Sequence, residues 1–425
     1  MKKLTNLFVF LLTLSFILNA QDQKEFNFFD EVKVSVTNPA DVERKDELVS
    51  LSVDKLKSRA ENFNKEAFII YLGDKEIPSQ LYNDGLNSQI VFACYFKPNQ
   101  SKEFSIKYLP DGKLKRKYDS RTYAELAMKF DAVYKYDPLD KRNKYTSDHF
   151  ENFTKVVVPE NHTDHDALFK YEGPGWESEK VGYRFYLDWR NATDIFGKTI
   201  NKLVLDDVGT NDVTAHEDSY HEMQDWGMDI FKVGNTLGIG SIGMMNADSI
   251  YMVSKTDEIS CEISFNGPIL SEVTTNYKGW LVGENKYDLV SKLSISAGSR
   301  ITNATLKVFD NASNITTGLA KYKGTDFIKS SSTGDWQYIA LWGKQTLNDD
   351  NLGIVLFYKK SALINQSEND LNYYVELKPI ENKVNYGFAA AWEKEPDGIK
   401  TKEAFVKYID EEIIKLNSPL TVDYK

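Results

Sequence analysis

Short runs of β-branched and aromatic residues recur from residue 26 to residue 109 and again from residue 249 to residue 373. Such runs are typical of strands, and turn sequences such as Asn-Pro and Asn-Asp-Gly separate several of them. Because no helical pattern lies between consecutive strands, the strands are expected to pair antiparallel in a sandwich or a barrel. The sequence therefore predicts a mostly β protein built as an antiparallel β-sandwich or supersandwich.

A turn and a basic cluster mark the best boundary between domains. The turn is Pro110-Asp111-Gly112, and the cluster KLKRK follows it at residues 113–117. We predict a small N-terminal β-sandwich over residues 21–112 and a larger β domain over residues 113–425. The larger domain is expected to end in a helix from Thr401 to about Leu416, with Thr401 as the N-cap.

Two segments after the boundary need separate predictions. The run RTYAELAMKF, residues 121–130, contains good helix formers but alternates with a period of two. We predict a strand there because periodicity is the stronger signal. The polar residues 137–150 are predicted to form a loop.

The first twenty residues have the pattern of a secretory signal peptide. Lys2 and Lys3 precede an apolar run from Leu7 to Leu18, and the small residue Ala20 ends the pattern. The apolar run is too short to span a membrane. We therefore expect a mature chain that begins near Gln21, is not membrane-bound and works in the periplasm or outside the cell.

The charge of the chain restricts its partners. Its net charge is −11 and it has no long basic run, which makes nucleic acid an unsuitable partner. An anionic ligand would have to be attracted by local positive charge. Cys94 and Cys261 are predicted to be buried free thiols, with a disulfide between them as the alternative.

The sequence indicates no cofactor and only one weak candidate for a metal site. His162 and His165 lie in the run ENHTDHD, where Asp164 or Asp166 could complete a set of ligands. No HExxH motif or cysteine pattern accompanies them, so a structural divalent cation is not indicated.

Two dense stretches carry the candidate functional residues. In the first, residues 171–198, Val181, Tyr183, Phe185 and Leu187 alternate with Gly182, Arg184, Tyr186 and Asp188. This pattern predicts a half-buried strand whose second face carries an arginine, a tyrosine and a carboxylate. The second stretch, HEDSYHEMQDWGMDIFK at residues 216–232, is expected to face the first.

These residue types suit proton transfer on an acidic sugar. His221 next to Tyr220 and close to several carboxylates is a workable acid–base set. Adjacent residues of a strand point in opposite directions, so the two can share a site only in a loop or bulge. Arg184 could clamp a carboxylate or sulfate, or form a salt bridge with Asp188 on an exposed sheet face. Trp176 and Trp226 could stack on a sugar ring or belong to the core.

The two stretches together resemble a family of exported bacterial proteins that were long described as a domain of unknown function. The first shared feature is a strand that starts with an aromatic residue and Glu, continues with an acidic and a basic residue and ends in Phe/Tyr-Arg; here it is Trp176 to Arg184. The second and third are a Tyr-His pair, here Tyr220-His221, and the pattern Asp-x-Gly-x-Asp, here Asp225 to Asp229. The last two are aromatic-Lys-Val-Gly, here Phe231 to Gly234, and Leu-Gly-x-Gly, here Leu237 to Gly240.

This family includes an oligosaccharide dehydratase of ulvan-degrading marine bacteria. The resemblance implies that residues 113–425 form a catalytic supersandwich like that of mutarotases and several polysaccharide lyases. It also implies loss of water from a glucuronic or iduronic acid at the non-reducing end of a sulfated oligosaccharide, which leaves a 4,5-unsaturated uronyl end. A polysaccharide lyase, a mutarotase and a non-catalytic carbohydrate-binding protein are the competing interpretations.

The expected roles follow from this reaction. The carboxylate of the uronic acid must be neutralised before carbon 5 loses its proton, and an acid must protonate the oxygen that leaves carbon 4. The candidate catalytic residues are His221, Tyr220 and His165. The candidate substrate-binding residues are Arg184, Lys180, Tyr186, Trp176, Glu177, Trp226, Asp225 and Lys232.

Overall fold

A computed structural model of the chain describes residue 28 and residues 30–83, 85, 87–147, 149–210 and 219–425. The predicted signal peptide and His216 lie outside these described residues. Over the described ranges the chain is mostly antiparallel β-sheet, with two α-helices, Val53–Arg59 and Lys402–Asn417. The mostly β fold and the C-terminal helix are confirmed, whereas the short first helix was not predicted. No helix in these ranges is long and apolar enough to cross a membrane.

The N-terminal sandwich encloses a core of its own around Phe92 and Phe104. It has an unexpected member, because the last strand of the chain, Thr421–Tyr424, pairs with Asp30–Thr37. The predicted division at residue 112 is therefore wrong for the extreme C-terminus. The described strands of its first sheet are, in order, Thr421–Tyr424, Asp30–Thr37, Ser101–Tyr108, Phe68–Leu72 and Lys75–Ile77. Those of its second sheet are Arg44–Ser52, Ser88–Phe96 and Ser79–Asn83.

The larger domain is organised around one large sheet, with nine strands in the described part of the chain. Two five-stranded sheets pack against it and share its apolar core. The large sheet consists of Lys155–Val157, Glu258–Asn266, Leu270–Val282, Asn285–Ser296, Ile301–Val308, Lys383–Trp392, Asn351–Lys359, Trp336–Lys344 and Thr325–Lys329. One smaller sheet consists of Ser249–Met252, Gly243–Asn246, Ile315–Ala320, Asn372–Leu377 and Leu363–Glu368.

The other smaller sheet positions the candidate site, and we call it the basin sheet. Its strands are, in order, Gly227–Asp229, Thr193–Lys198, Gly182–Phe185, Gly175–Ser178 and Thr122–Glu125. The strand predicted over residues 121–130 is thus present, and a second short strand, Ala127–Lys129, continues it and pairs with Phe150–Asn152.

The loop predicted over residues 137–150 is wrong in part. Val133–Asp137 and Arg142–Thr146 form a two-stranded hairpin, which we call the basin hairpin. Tyr134 and Tyr136 share one face with Tyr145, which is buried and packs on Tyr134 with ring centroids 4.7 Å apart, so these alternating tyrosines are the signal that the loop prediction overlooked. Both cysteines are buried and free, as predicted.

Alternation along the strands of the large sheet explains how it is covered on both faces. In Trp336–Lys344, Ile339 and Leu341 point into the main core, whereas Ala340 and Trp342 point to the C-terminal helix. The helix begins at its N-cap Thr401, whose hydroxyl accepts a hydrogen bond from the Ala404 backbone N–H.

Phe405 is the residue that fixes the helix to the sheet. Its ring is fully buried against Trp342, with the ring centroids 5.4 Å apart, and it covers Gly353, where a Cβ would clash with it. Phe405→Ala should therefore lower the free energy of unfolding by about 3–5 kcal/mol through lost burial and an unfilled cavity. Denaturant unfolding measures this change.

Lys407→Ala is the matched control for that experiment. Lys407 lies on the same helix with 78% of its side chain exposed. A surface change of this kind should shift stability by roughly 0.5 kcal/mol or less. Equal effects of the two variants on stability would show that Phe405 does not fix the helix to the sheet.

Candidate active site

The basin sheet has one apolar face and one polar face because its residues alternate. Tyr183 and Trp176 point to the main core, while Arg184, Asp194 and Asp229 point to the opposite side. Arg184 and Asp194 are directly opposite each other on neighbouring strands. Residues of this polar face form the floor of a cavity of about 700 Å³.

The predicted alternation is correct, but the predicted half-burial is wrong. Every residue from Val181 to Asp188 is buried. Turns of residues 170–172, 205–207 and 219–221 lie near the polar face, so its charges are enclosed together. The two dense stretches of the sequence do face each other, since Arg184 contacts both Tyr220 and Asp229.

Arg184 is the centre of the polar face. One terminal nitrogen donates to the Tyr171 carbonyl at 3.1 Å and to the Tyr220 hydroxyl at 3.2 Å. The other donates to Asp229 Oδ2 at 2.5 Å and to Asp194 Oδ2 at 3.0 Å. Both terminal nitrogens are thus engaged with protein, which argues against the predicted clamp on a substrate carboxylate. The alternative salt bridge to Asp188 is also wrong, because that carboxylate pairs with Arg190.

Asp194 and Asp229 compete for this one guanidinium. Burial raises the pKa of Asp194 to about 7, and the nearby charge of Asp229 adds to the rise while Arg184 opposes it. The Tyr186 hydroxyl also donates to Asp194 Oδ2. Near neutral pH, part of the population therefore holds a proton on Asp194.

His221 and Tyr220 share the cavity because they lie in a turn, Ser219–His221, and not in a strand. Their rings are in contact, with centroids 4.4 Å apart and planes tilted by 37°. His221 Nε2 lies 3.2 Å from Asp229 Oδ2, and 43% of the His221 side chain is exposed. The imidazole is therefore accessible from solvent and held by a buried carboxylate.

A second histidine–carboxylate pair lines the same cavity. His165 Nδ1 lies 3.1 Å from Glu172 Oε1, which also accepts from Arg190 at 2.7 Å. Burial raises the pKa of Glu172, but the charges of Arg190, Arg184 and His165 outweigh burial and hold it below its usual range. Glu172 therefore stays ionised and keeps His165 oriented.

The backbone around His165 and Glu172 is strained. His165, Ala167, Tyr171 and Glu172 line the cavity with φ values of +56°, +60°, +43° and +68°. Non-glycine residues rarely adopt this left-handed region, and such strain concentrates at functional sites.

The described lining of the cavity is more positive than negative, although the whole chain is acidic. Six cationic side chains face four carboxylates there. The cations are Lys129, Arg142, Lys144, Arg184, Arg190 and Lys232, and the carboxylates are Asp140, Glu172, Asp194 and Asp229. Local charge of this sign favours an anionic ligand.

Several predicted binding residues lie elsewhere. Trp176 is fully buried, and its indole N–H donates to Thr302, so it cannot stack on a ligand. Glu177 is buried in an ion pair with Lys198. Lys180 pairs with Asp397 outside the cavity.

Two further predicted residues and one metal candidate also lie outside the lining. Trp226 is half-buried against Phe196, and Asp225 is exposed. His162 is bonded to Asp166 and packed on Phe169. Among the described residues, no three His, Cys, Asp or Glu side chains are grouped so as to hold a metal ion.

Of the predicted residues, the cavity brings together His221, Tyr220, His165, Arg184, Tyr186 and Lys232. Sequence reasoning missed Glu172, Asp194 and the cations of the basin hairpin. Asp194 had a usable signal, because Asp194, Phe196 and Lys198 alternate with smaller or apolar residues in TDIFGK. Glu172 had none, since its role depends on a left-handed turn.

Comparison with known sequences gives a family. A sequence profile described as "Domain of unknown function (DUF4861)" matches residues 36–422. The chain is 25% identical over 276 residues to "Uncharacterized protein P7" of Formosa agariphila, a match that covers 58% of this chain and 66% of that protein. The chain thus spans slightly less than two thirds of this relative.

Similar solved structures come from larger carbohydrate enzymes. They are a protein in glycosyl hydrolase family 38 from Enterococcus faecalis (7% identity, TM-score 0.43) and an alpha-mannosidase from E. faecalis V583 (10% identity, TM-score 0.44). Each match covers 93% of this chain, but only 47% and 46% of the respective structures. A putative kojibiose phosphorylase from human microbiome is 10% identical with a TM-score of 0.33, over 56% of this chain and 34% of that one.

The raised pKa of Asp194 predicts a pH-dependent stability. The folded protein holds this proton more tightly than the unfolded chain, where the carboxyl titrates near 3.8, so the contribution is fully present at low pH. It is lost as the pH rises from 3.8 to about 7. Relative to Asp194→Asn, the wild type should therefore lose stability across this window, as measured by denaturant unfolding at each pH.

Asp397→Asn serves as the control. A hydrogen bond from Lys180 lowers the pKa of Asp397, so its proton affinity changes only below this window. A constant stability difference between wild type and Asp194→Asn from pH 4 to pH 8 would show that Asp194 titrates normally (~pH 4).

Proposed function

This chain belongs to the DUF4861 family, and we propose that it is an oligosaccharide dehydratase. It would remove water from a glucuronic or iduronic acid at the non-reducing end of a sulfated, ulvan-type oligosaccharide, in the periplasm or outside the cell. The observation that carries the proposal is the His221–Asp229 pair beside Tyr220, in a cavity whose described lining is cationic on balance.

Lys232 is the residue that would neutralise the substrate carboxylate. It lines the cavity, is exposed, and has no carboxylate partner among the described residues. The proton on carbon 5 is hardly acidic while the neighbouring carboxylate is anionic. A cation on that group stabilises the enediolate that forms when the proton leaves.

His221 would act as the base. The buried carboxylate of Asp229 stabilises the imidazolium form of His221, and this makes the neutral ring a better proton acceptor. The exposed edge of the ring can reach a sugar in the cavity. His221 then takes the proton from carbon 5.

Tyr220 would act as the acid. Arg184 donates a hydrogen bond to its oxygen, which stabilises the phenolate that remains after the proton has left. Tyr220 gives its proton to the hydroxyl on carbon 4, the C4–O bond breaks, and water departs as the C4–C5 double bond forms. Proton exchange with solvent returns His221 and Tyr220 to their starting forms. His165 is the alternative acid, held by Glu172 on the same cavity.

The first experiment is incubation of the purified protein with saturated, uronate-ended sulfated oligosaccharides. Loss of one water with unchanged chain length and new ultraviolet absorbance of an unsaturated uronate would establish the dehydratase. His221→Ala and Tyr220→Phe should each lower kcat by roughly 100-fold or more, because each removes one proton-transfer group.

His149→Ala is the matched control. His149 lies outside the cavity lining and is 3.2 Å from Glu151, the same separation as between His221 and Asp229. The turnover of His149→Ala should equal that of the wild type. Shorter products would identify a polysaccharide lyase, and binding without any chemical change would identify a carbohydrate-binding protein. Near wild-type turnover by His221→Ala would refute the assignment of the base.

Lys232→Met tests the carboxylate contact separately. Methionine keeps the length of the side chain but removes its charge, so kcat/KM should fall by roughly 100-fold on a uronate substrate. Lys323→Met is the control, since Lys323 is exposed and not part of the cavity lining. An unchanged kcat/KM in Lys232→Met would assign the carboxylate to another cation.

A further inference from the structure

An exposed tryptophan lies next to the cavity in a fixed orientation. Trp189 is 46% exposed, which is unusual for so large an apolar ring. Its indole N–H donates to Asp164 Oδ1 at 2.8 Å. The hydrogen bond holds the ring in place, while the next residue, Arg190, lines the cavity.

Asp164 also holds Arg142 in place. Arg142 donates from Nη1 to the Asp164 backbone carbonyl at 3.0 Å and lies 3.6 Å from its Oδ2. Burial raises the pKa of Asp164, but hydrogen bonds from Trp189 and Thr163 and nearby positive charge outweigh it and lower the pKa. Asp164 therefore stays ionised and orients Trp189 and Arg142 together.

Arg142 retains donors for a ligand. It is 42% exposed and lines the cavity from the basin hairpin, and only its Nη1 atom has a protein partner among the described residues. On the same face of the hairpin, Lys144 is directly opposite Lys135 and forms ion pairs with Asp137 and Asp140. The charge of Lys144 is thus offset by protein carboxylates, and Arg142 is the hairpin cation in the cavity lining with donors left for an anion.

We propose that Trp189 and Arg142 form a subsite for the second sugar of an anionic oligosaccharide. The pyranose ring stacks on the indole face, and the free donors of Arg142 bind an anionic substituent, a sulfate ester in the substrates proposed above. This subsite adjoins the cavity because Arg142 and His165 both line the cavity, and His165 Nε2 lies 4.0 Å from Asp164 Oδ2. This inference rests on the proposed function for the identity of the sugar in the cavity.

Binding and kinetics test the subsite independently of each other. Calorimetry with a sulfated uronate-ended disaccharide should give a dissociation constant roughly tenfold higher for Trp189→Ala and for Arg142→Ala, which corresponds to about 1.4 kcal/mol. Trp189→Phe should recover most of the affinity. With a desulfated disaccharide, Arg142→Ala should match the wild type while Trp189→Ala remains impaired. With a single-sugar uronate, both variants should match the wild type.

Matched controls separate the subsite from general surface effects. Tyr251→Ala removes another exposed aromatic, and Arg59→Ala removes another exposed arginine, both outside the cavity lining. Neither should change binding. If the subsite variants bind the disaccharide as the wild type does, the subsite is overturned, even where turnover occurs. If the wild type shows no loss of water but the affinity pattern holds, only the proposed reaction fails.

Discussion

One buried guanidinium holds the two halves of the candidate site together. Arg184 is 2% exposed, and it contacts Asp194 and Asp229 from neighbouring strands and Tyr220 from a turn. Removing a charge from water is costly, and only close partners compensate for the cost. Two carboxylates lie next to this one cation, and burial together with the charge of Asp229 raises the pKa of Asp194. Arg184 and its two carboxylates therefore hold the site together and also change the pKa of Asp194.

Around that anchor, the protein places two histidine–carboxylate pairs. His221 depends on Asp229, and His165 depends on Glu172, and both carboxylates lie within 4 Å of the terminal nitrogens of Arg184. Asp229 is buried and Glu172 is mostly buried, whereas both imidazole rings are exposed to solvent. Each histidine can thus meet a ligand without moving the charge that orients it. Positive side chains from the basin hairpin and Lys232 complete a lining whose charge favours an anionic ligand.

The sequence predicted the fold better than the site. Runs of β-branched and aromatic residues located strands such as Ser88–Phe96, and an apolar period of 3.6 residues located the C-terminal helix. The expectation that residues 171–198 and 216–232 face each other placed Tyr220 and His221 near Arg184. The sequence did not separate cavity residues from other buried or paired ones: Trp176 belongs to the core, and Glu177 and Lys180 belong to other ion pairs. Glu172 was missed because a left-handed turn leaves no periodic pattern, and Arg142 was missed because residues 137–150 were predicted to form a loop.

The pairing of Thr421–Tyr424 with Asp30–Thr37 has a consequence for how the chain acquires its structure. Residues 30–108 leave the ribosome without this edge strand, which is added only after residues 421–424 have been synthesised. Val34 and Val36 would meanwhile belong to an uncovered sheet edge, which is prone to pair with other chains. Closing so long a loop is slow compared with local pairing. The N-terminal sandwich is therefore completed only after the larger domain that separates its two edge strands in sequence has been synthesised.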